Sequence, residues 1–240
     1  MGKTIISQAR GRGGPRYRAP SHRYLSSVKY LNYSEKEKTS MVIAKIIDLE
    51  HCPGHSAPLA KIQYETGETD HIFAPENVKV DDIIQIGMNA ETKYGNIKPL
   101  KSIQDGTLVY NLELRPGDGG RICRAAGSSA KIISHLNDKV IIELPSKKQK
   151  EFNELCRATI GIIAGSGKSE KPFVKAGNKF HAMQSRNKLY PKTSAVSMNS
   201  VDHPFGSGRG SHAGKPTIAP RFAPPGRKVG KLRPRRTGKR

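Results

Sequence analysis

Charge is distributed along this 240-residue chain in three blocks that no single packed domain could absorb. Residues 1–36 hold 8 basic and 1 acidic residue, residues 37–170 hold 17 and 18, and residues 171–240 hold 17 and 1, for a total of +22. A neutral body flanked by strongly cationic ends repels itself at those ends in water, so the arrangement implies a polyanion that neutralises them. Nucleic acid is the expected partner. A membrane is not, because no apolar run approaches the roughly 18 residues of a spanning helix and the ends lack an apolar face.

The texture of the sequence follows the charge. QARGRGGPRYRAPSHRYLSSVKY alternates Arg with Gly, Pro and Ser and shows neither helical nor strand periodicity, so residues 1–36 read as an extended basic arm. From Ser40 short β-type runs recur (MVIAKIIDL, APLAKIQYE, DHIFAP, DDIIQIG, NIKPLKSI) and are separated by PG, TGE, PEN and YGN turn signals. In LAKIQYE, Ala60, Ile62 and Tyr64 share one face, as a half-buried strand requires. A second series, GTLVYNLEL, RICRAAG, AKIISHL, KVIIELP and ATIGIIAG, follows, with QKEFNELCR as a further strand or a turn of helix. Strands every 8–12 residues point to small β-barrels or sandwiches rather than alternating β-α units, and two five-strand barrels of about 65 residues each would fill 37–103 and 104–170. Residues 171–240 return to Lys, Arg, Gly, Pro and Ser with isolated apolar residues and read as a second structureless basic extension, held by a partner.

Several motifs invite chemistry and then fail on spacing. GSGKS at 165–169 resembles a phosphate-binding loop, but five residues separate Gly161 from Gly167 where the motif needs four, and Pro172 follows too soon for a helix. HCPGHS places His51, Cys52 and His55 together, yet neither Cys123 nor Cys156 supplies a second ligand pair, so no metal is expected. Asp202 and His203 are adjacent in NSVDHPFGSGRGSH and point apart on extended backbone, and Ser207 sits among glycines, which makes a hydrolase unpromising. Asp202, the one acid of the last 70 residues, is expected to pin its loop or hold a cation. Three widely spaced cysteines suit free buried thiols in a reducing compartment. The opening MGKTIISQARGRGG has no apolar core of a secretory leader.

MNSVDHPFGSGRG, with RATIGIIAG and KPFVKAGNKFH before it, RPGDGGRICRAAGSSA in the second series and APPGRKVG near the end, resembles the universal large-subunit ribosomal protein two family in its archaeal form. The likeness extends from RGRGGPRYRAPSHRY to the RTGKR tail. It implies a mainly β molecule, an OB-fold barrel followed by an SH3-like barrel with long irregular basic extensions at both ends. It further implies a primary rRNA binder of the large subunit in the cytoplasmic ribosome, with large-subunit rRNA, other large-subunit proteins and the small subunit at the interface as partners. Neither a cofactor nor a small-molecule substrate is implied. Such a protein supports subunit association, tRNA binding and peptide-bond formation near the peptidyl-transferase centre without being an enzyme, and His203 matches a family histidine placed in that region. Where many members read VRGVAMNPVDHPHGGG this chain reads TSAVSMNSVDHPFGSG, so Ser194 and Ala195 stand for Arg-Gly, Ser200 for Pro and Phe205 for His. An arginine's phosphate fork is therefore missing at 194.

The expected phosphate contacts are Arg10, Arg12, Arg16, Arg18, Arg23, Lys175, Lys179, Arg186, Arg209, Lys215, Arg227 and Lys228. Tyr17, His22, His181, His203 and Phe205 are the candidates for stacking or base-edge contact, and Asn199 is a further RNA-binding residue. Two rival classes make different demands. A chromatin-compacting or single-strand-binding module would accept DNA equally and need no defined Asn-x-x-Asp-His element, while an NTPase or hydrolase would turn over nucleotide or ester.

Overall fold

The computed structural model describes residues 2–6, 14–224 and 226–230. It separates into two compact units, one of residues 21–172 and one joining residues 1–20 to 173–240. The first holds ten strands: β1 (Met41–Glu50), β2 (Leu59–Tyr64), β3 (Thr69–Phe73), β4 (Ile83–Gly87), β5 (Ile97–Pro99), β6 (Leu108–Tyr110), β7 (Ala130–Leu136), β8 (Lys139–Glu143), β9 (Gln149–Asn153) and β10 (Arg157–Ile160). Their spatial order is β3-β2-β1-β4-β5-β10-β6-β7-β8-β9. The molecule is mainly β, an OB-fold barrel followed by an SH3-like barrel.

Period-two patterning builds both barrels. Ala44 and Ile46 of β1, Ala60, Ile62 and Tyr64 of β2, Ile84 and Ile86 of β4 and Ile97 of β5 fill the first core. Leu100, Ile103, Val109, Ile132, Val140, Ile142, Phe152 and Ile160 are among those filling the second. Leu59, on the opposite face of β2, is also fully buried, in a third cluster with Val28, Cys52, Phe73, Tyr110 and Ile163. The β7–β8 hairpin is closed by Asn137 at φ +48°, the left-handed conformation that a two-residue turn demands.

The sequence is too coarse at three places. RICRAAG forms no strand; it is a loop bridged at Leu112–Ile122, with the Cys123 carbonyl accepting the Asn111 N–H and Cys123 at φ +54°. QKEFNELCR contributes β9 rather than a helical turn. The segment read as an extended arm contains 3-10 turns at Pro15–Tyr17 and Ser21–Arg23, and its Val28 and Tyr30 are buried against the barrels.

β10 ties the two cores together, since it pairs with β5 on one side and β6 on the other. Its first residue, Arg157, is 2 % exposed and bonds Glu113, Glu37 and the Leu31 carbonyl. Its guanidinium also stacks over the Tyr30 and Tyr33 rings, at 5.2 and 4.8 Å from their centroids. Glu37 lies on the short helix α1 (Glu35–Thr39), and burial pushes its carboxyl above the usual range against the pull of Arg157. The buried charges of Arg157, Glu113 and Glu37 are thus all partnered, which is what burial of charge requires.

Candidate nucleic-acid interface

The unit of residues 1–20 and 173–240 is built differently. Among its described residues only Ile5 and Val229 are buried. So little apolar burial cannot offset the ordering of some 70 residues, each costing on the order of 1–2 kcal/mol of backbone entropy. Its order is therefore local. The extension expected to lack regular structure contains α2 (Ala176–Gln184), a nine-residue helix. The preceding proline discouraged a helix near Lys168, and α2 starts only beyond Phe173.

The chain leaves α2 through a Schellman turn: Lys188 N–H donates to the Met183 carbonyl at 2.8 Å, Asn187 N–H to the Gln184 carbonyl at 3.0 Å, and Asn187 sits at φ +51°. The Asn187 side-chain amide then donates to the Arg18 carbonyl at 2.7 Å and the Pro15 carbonyl at 3.4 Å. One asparagine thus ends the helix and clamps the turn that carries Arg16 and Tyr17.

The loop at 199–207 is held by four backbone bonds. The Asn199 carbonyl accepts from Asp202 N–H (3.0 Å) and His203 N–H (3.2 Å), the His203 carbonyl accepts from Gly206 N–H (2.9 Å), and the Met198 carbonyl accepts from Ser207 N–H (3.0 Å). Gly206 is required by proximity, because a Cβ there would strike the carbonyl oxygens of both Met198 and Asn199. The Asp202 carboxylate faces Lys3 Nζ at 3.4 Å, and Lys3 N–H donates to the Val201 carbonyl at 2.8 Å. Asp202 thus pins its loop to the chain's first residues, with a lysine that sequence reasoning passed over. The Asp202 carboxylate pairs with Lys3 and not with His203, whose imidazole instead accepts the Phe205 N–H at Nδ1, 3.1 Å away.

Two consequences follow for His203. Nδ1 acting as acceptor leaves the ring proton on Nε2, so the ring presents a donor. Partial burial also holds its pKa below the usual imidazole value, so the neutral form dominates at pH 7. The Phe205 ring lies 5.2 Å from His203, tilted by 55°. A cleft of about 460 Å³ opens beside them, lined by Lys3, Asp202, His203, Lys215 and Arg227 among others.

The remaining expected contacts divide by unit. Lys175 precedes α2, and Lys179 and His181 lie on it, with Lys179 Nζ 5.2 Å from the centre of the Tyr190 ring. Arg186 follows the helix in the turn, Arg209 is exposed, and Arg227 and Lys228 N–H groups both donate to the Pro224 carbonyl. His22 and Arg23 fall in the barrel-bearing unit, while Arg10 and Arg12 lie outside the described residues.

The motifs rejected on spacing are structural turns. Gly165, at φ +83°, starts a single 3-10 turn Ser166–Lys168, and the Lys168 ammonium reaches the Ser56 carbonyl at 3.5 Å. Cys52 is buried, receives the Leu25 N–H at 3.4 Å and lies 3.1 Å from His55 Nδ1. Among the described residues no three His, Cys, Asp or Glu side chains gather closely enough to hold a metal.

A chain that combines two small β-barrels with long, glycine-loosened cationic segments and a rigid neutral-histidine loop defines a structural nucleic-acid-binding protein. Comparison with known families specifies which one. Residues 4–86 match the family described as Ribosomal Proteins L2, RNA binding N-terminal domain, and residues 93–222 match its C-terminal domain. The chain is 51 % identical over 241 residues to large ribosomal subunit protein uL2 of Methanocaldococcus jannaschii, and 48 % identical over 240 residues to that of Methanothermobacter thermautotrophicus. Both alignments cover 100 % of each chain. The protein belongs to the ribosomal protein L2 family.

Proposed function

We propose that this protein is a structural constituent of the large ribosomal subunit, working in the cytoplasmic ribosome and bound to large-subunit rRNA and neighbouring ribosomal proteins. The observation that carries the reading is the near absence of a core in the unit that holds most of the net charge: only Ile5 and Val229 are buried there among the described residues. Such a unit needs a polyanion to neutralise and enclose it. The functional division is 1–36 and 171–240 as rRNA-contacting extensions, with the barrels at 37–103 and 104–170 setting orientation. Phosphate contacts through Arg16, Arg18, Arg23, Lys175, Lys179, Arg186, Arg209, Lys215, Arg227 and Lys228 supply most of the binding free energy by counterion release. Tyr17, His22, His181, Asn199, His203 and Phe205 meet bases or ribose.

The 199–207 loop supports subunit association, tRNA binding and peptide-bond formation by position. With Asp202 engaged by Lys3 and Nδ1 of His203 engaged by Phe205, the loop offers one Nε2–H donor and no base relay. The deciding experiment is a sucrose gradient at moderate salt. The protein should travel stoichiometrically with the large subunit; recovery in the soluble fractions, or equal affinity for DNA, would reject the reading.

A further inference from the structure

A second cleft, of about 270 Å³, lies between the Pro15–Tyr17 turn and α2 with the turn that follows it. Its walls carry three rings, Tyr17, Phe180 and Tyr190, together with Arg16, Lys188 and the Gln184 amide. The sequence explains the grouping. Phe180 and Gln184 are four residues apart on α2 and so share one helix face. The Schellman turn reverses the chain so that Lys188 and Tyr190 come back beside that face, and the Asn187 amide fixes the turn bearing Arg16 and Tyr17 opposite. Among the described residues no Asp or Glu lines the cleft.

Rings select a planar ligand, two cations without a carboxylate select an anion, and an amide can read a hydrogen-bonding edge. The volume is at the small end of ligand cavities, on the scale of one planar group rather than a peptide helix. Phe180 remains 42 % exposed, a costly state for a ring unless something covers it. Lys179 stands 5.2 Å from the Tyr190 centroid, so that ring already carries a cation over it.

We infer that this cleft accepts one unstacked RNA nucleotide, its base against Phe180 and Tyr17 with Gln184 at the base edge, and its phosphate held by Arg16 and Lys188. The inference rests on the rRNA-binding reading above and adds to it a base-capturing site, including four residues, Phe180, Gln184, Lys188 and Tyr190, outside the contacts already proposed.

The test measures binding of the full chain to a large-subunit rRNA transcript across a salt series. Phe180→Leu keeps apolar volume but removes the stacking face, and should weaken binding about tenfold at every salt concentration with the salt slope unchanged. Phe180→Trp should restore the affinity. Arg16→Ala should instead lower the slope by about one. Leucine binding as tightly as the parent, or a slope change in the leucine variant, would overturn the inference while leaving parental rRNA binding intact. Displacement of the transcript by millimolar adenosine monophosphate would also overturn it, by making the cleft a free-nucleotide site. Failure of the parent chain to bind rRNA would reject the broader reading instead.

Discussion

Arg157 and Glu113 are joined three times: Nε and one terminal nitrogen of the guanidinium donate to Oε1 at 3.2 and 2.9 Å, and the Arg157 backbone N–H donates to Oε2 at 2.8 Å. Glu113 also accepts the Gly117 and Gly119 N–H groups. The pair therefore fixes the 113–119 loop to β10, the strand common to both barrels. Arg157→Met should destabilise the barrel unit by about 3 kcal/mol, because Glu113 and Glu37 would stay buried without their counter-charge. Arg157→Lys should recover part of this, since one ammonium cannot reach both carboxylates as a planar fork does. Urea unfolding followed by circular dichroism measures both, and equal stability of all three proteins would refute the role given to the hub.

What was legible beforehand follows from where the information is stored. Strand periodicity is local, so ten of the eleven β-type runs, QKEFNELCR included, could be placed directly on strands. RICRAAG could not, because Cys123 sits at φ +54°, a left-handed backbone state that breaks a strand and that a cysteine does not announce. The helix Ala176–Gln184 escaped because its stabilising signals, Asn187 at the C-terminus and Phe180 beside Gln184, are not an apolar stripe; none of its residues is buried. The Lys3–Asp202 pair spans nearly the whole chain, and no pattern in the sequence announces it.

Gly206→Ala should deform the 199–207 loop. The added Cβ meets two backbone oxygens, of Met198 and Asn199, and backbone cannot yield as a flexible side chain can. The cost to the loop is on the order of 1–3 kcal/mol. It should appear as altered His203 ring resonances and weaker rRNA binding, with the barrels' thermal transition unchanged. Unaltered resonances would show that the loop has room the structure does not give it.

His203 should be the Nε2–H tautomer at pH 7.5, which nitrogen chemical shifts of the imidazole report directly. Burial lowers its folded pKa, and protonation would place a hydrogen on the Nδ1 that receives Phe205 N–H. The sign is that of a depressed group: the contribution to loop order is present above the unfolded imidazole value of about 6.5 and is lost as pH falls through the folded value. In ribosomes, His203→Ala should lower assembly or activity modestly. Abolition of peptide-bond formation in correctly assembled particles would demand a direct chemical part for the ring.

Cys123 and Cys156 should resist alkylation at pH 7.5. Burial pushes each thiol up to about 11, which leaves almost no thiolate, and Cys52 is fully enclosed. Iodoacetamide should label all three rapidly in urea and only slowly in the native protein. Fast native labelling of Cys156 would mean that the second barrel opens far more readily than its packing suggests.

Removing residues 171–240 tests the division of labour most directly. That segment holds 17 basic residues and one acid, whereas 37–170 is almost neutral, so the truncated chain keeps both cores and loses most of its counterion release. It should unfold cooperatively, since the three buried clusters lie within residues 28–164 and none depends on a deleted side chain. Its rRNA affinity should fall by a factor of a thousand or more near 50 mM salt, and the slope of log affinity against log salt should flatten by several units, as the loss of roughly 6–10 phosphate contacts requires. A truncated protein that kept the parent's affinity and slope would place the rRNA contacts on the barrels.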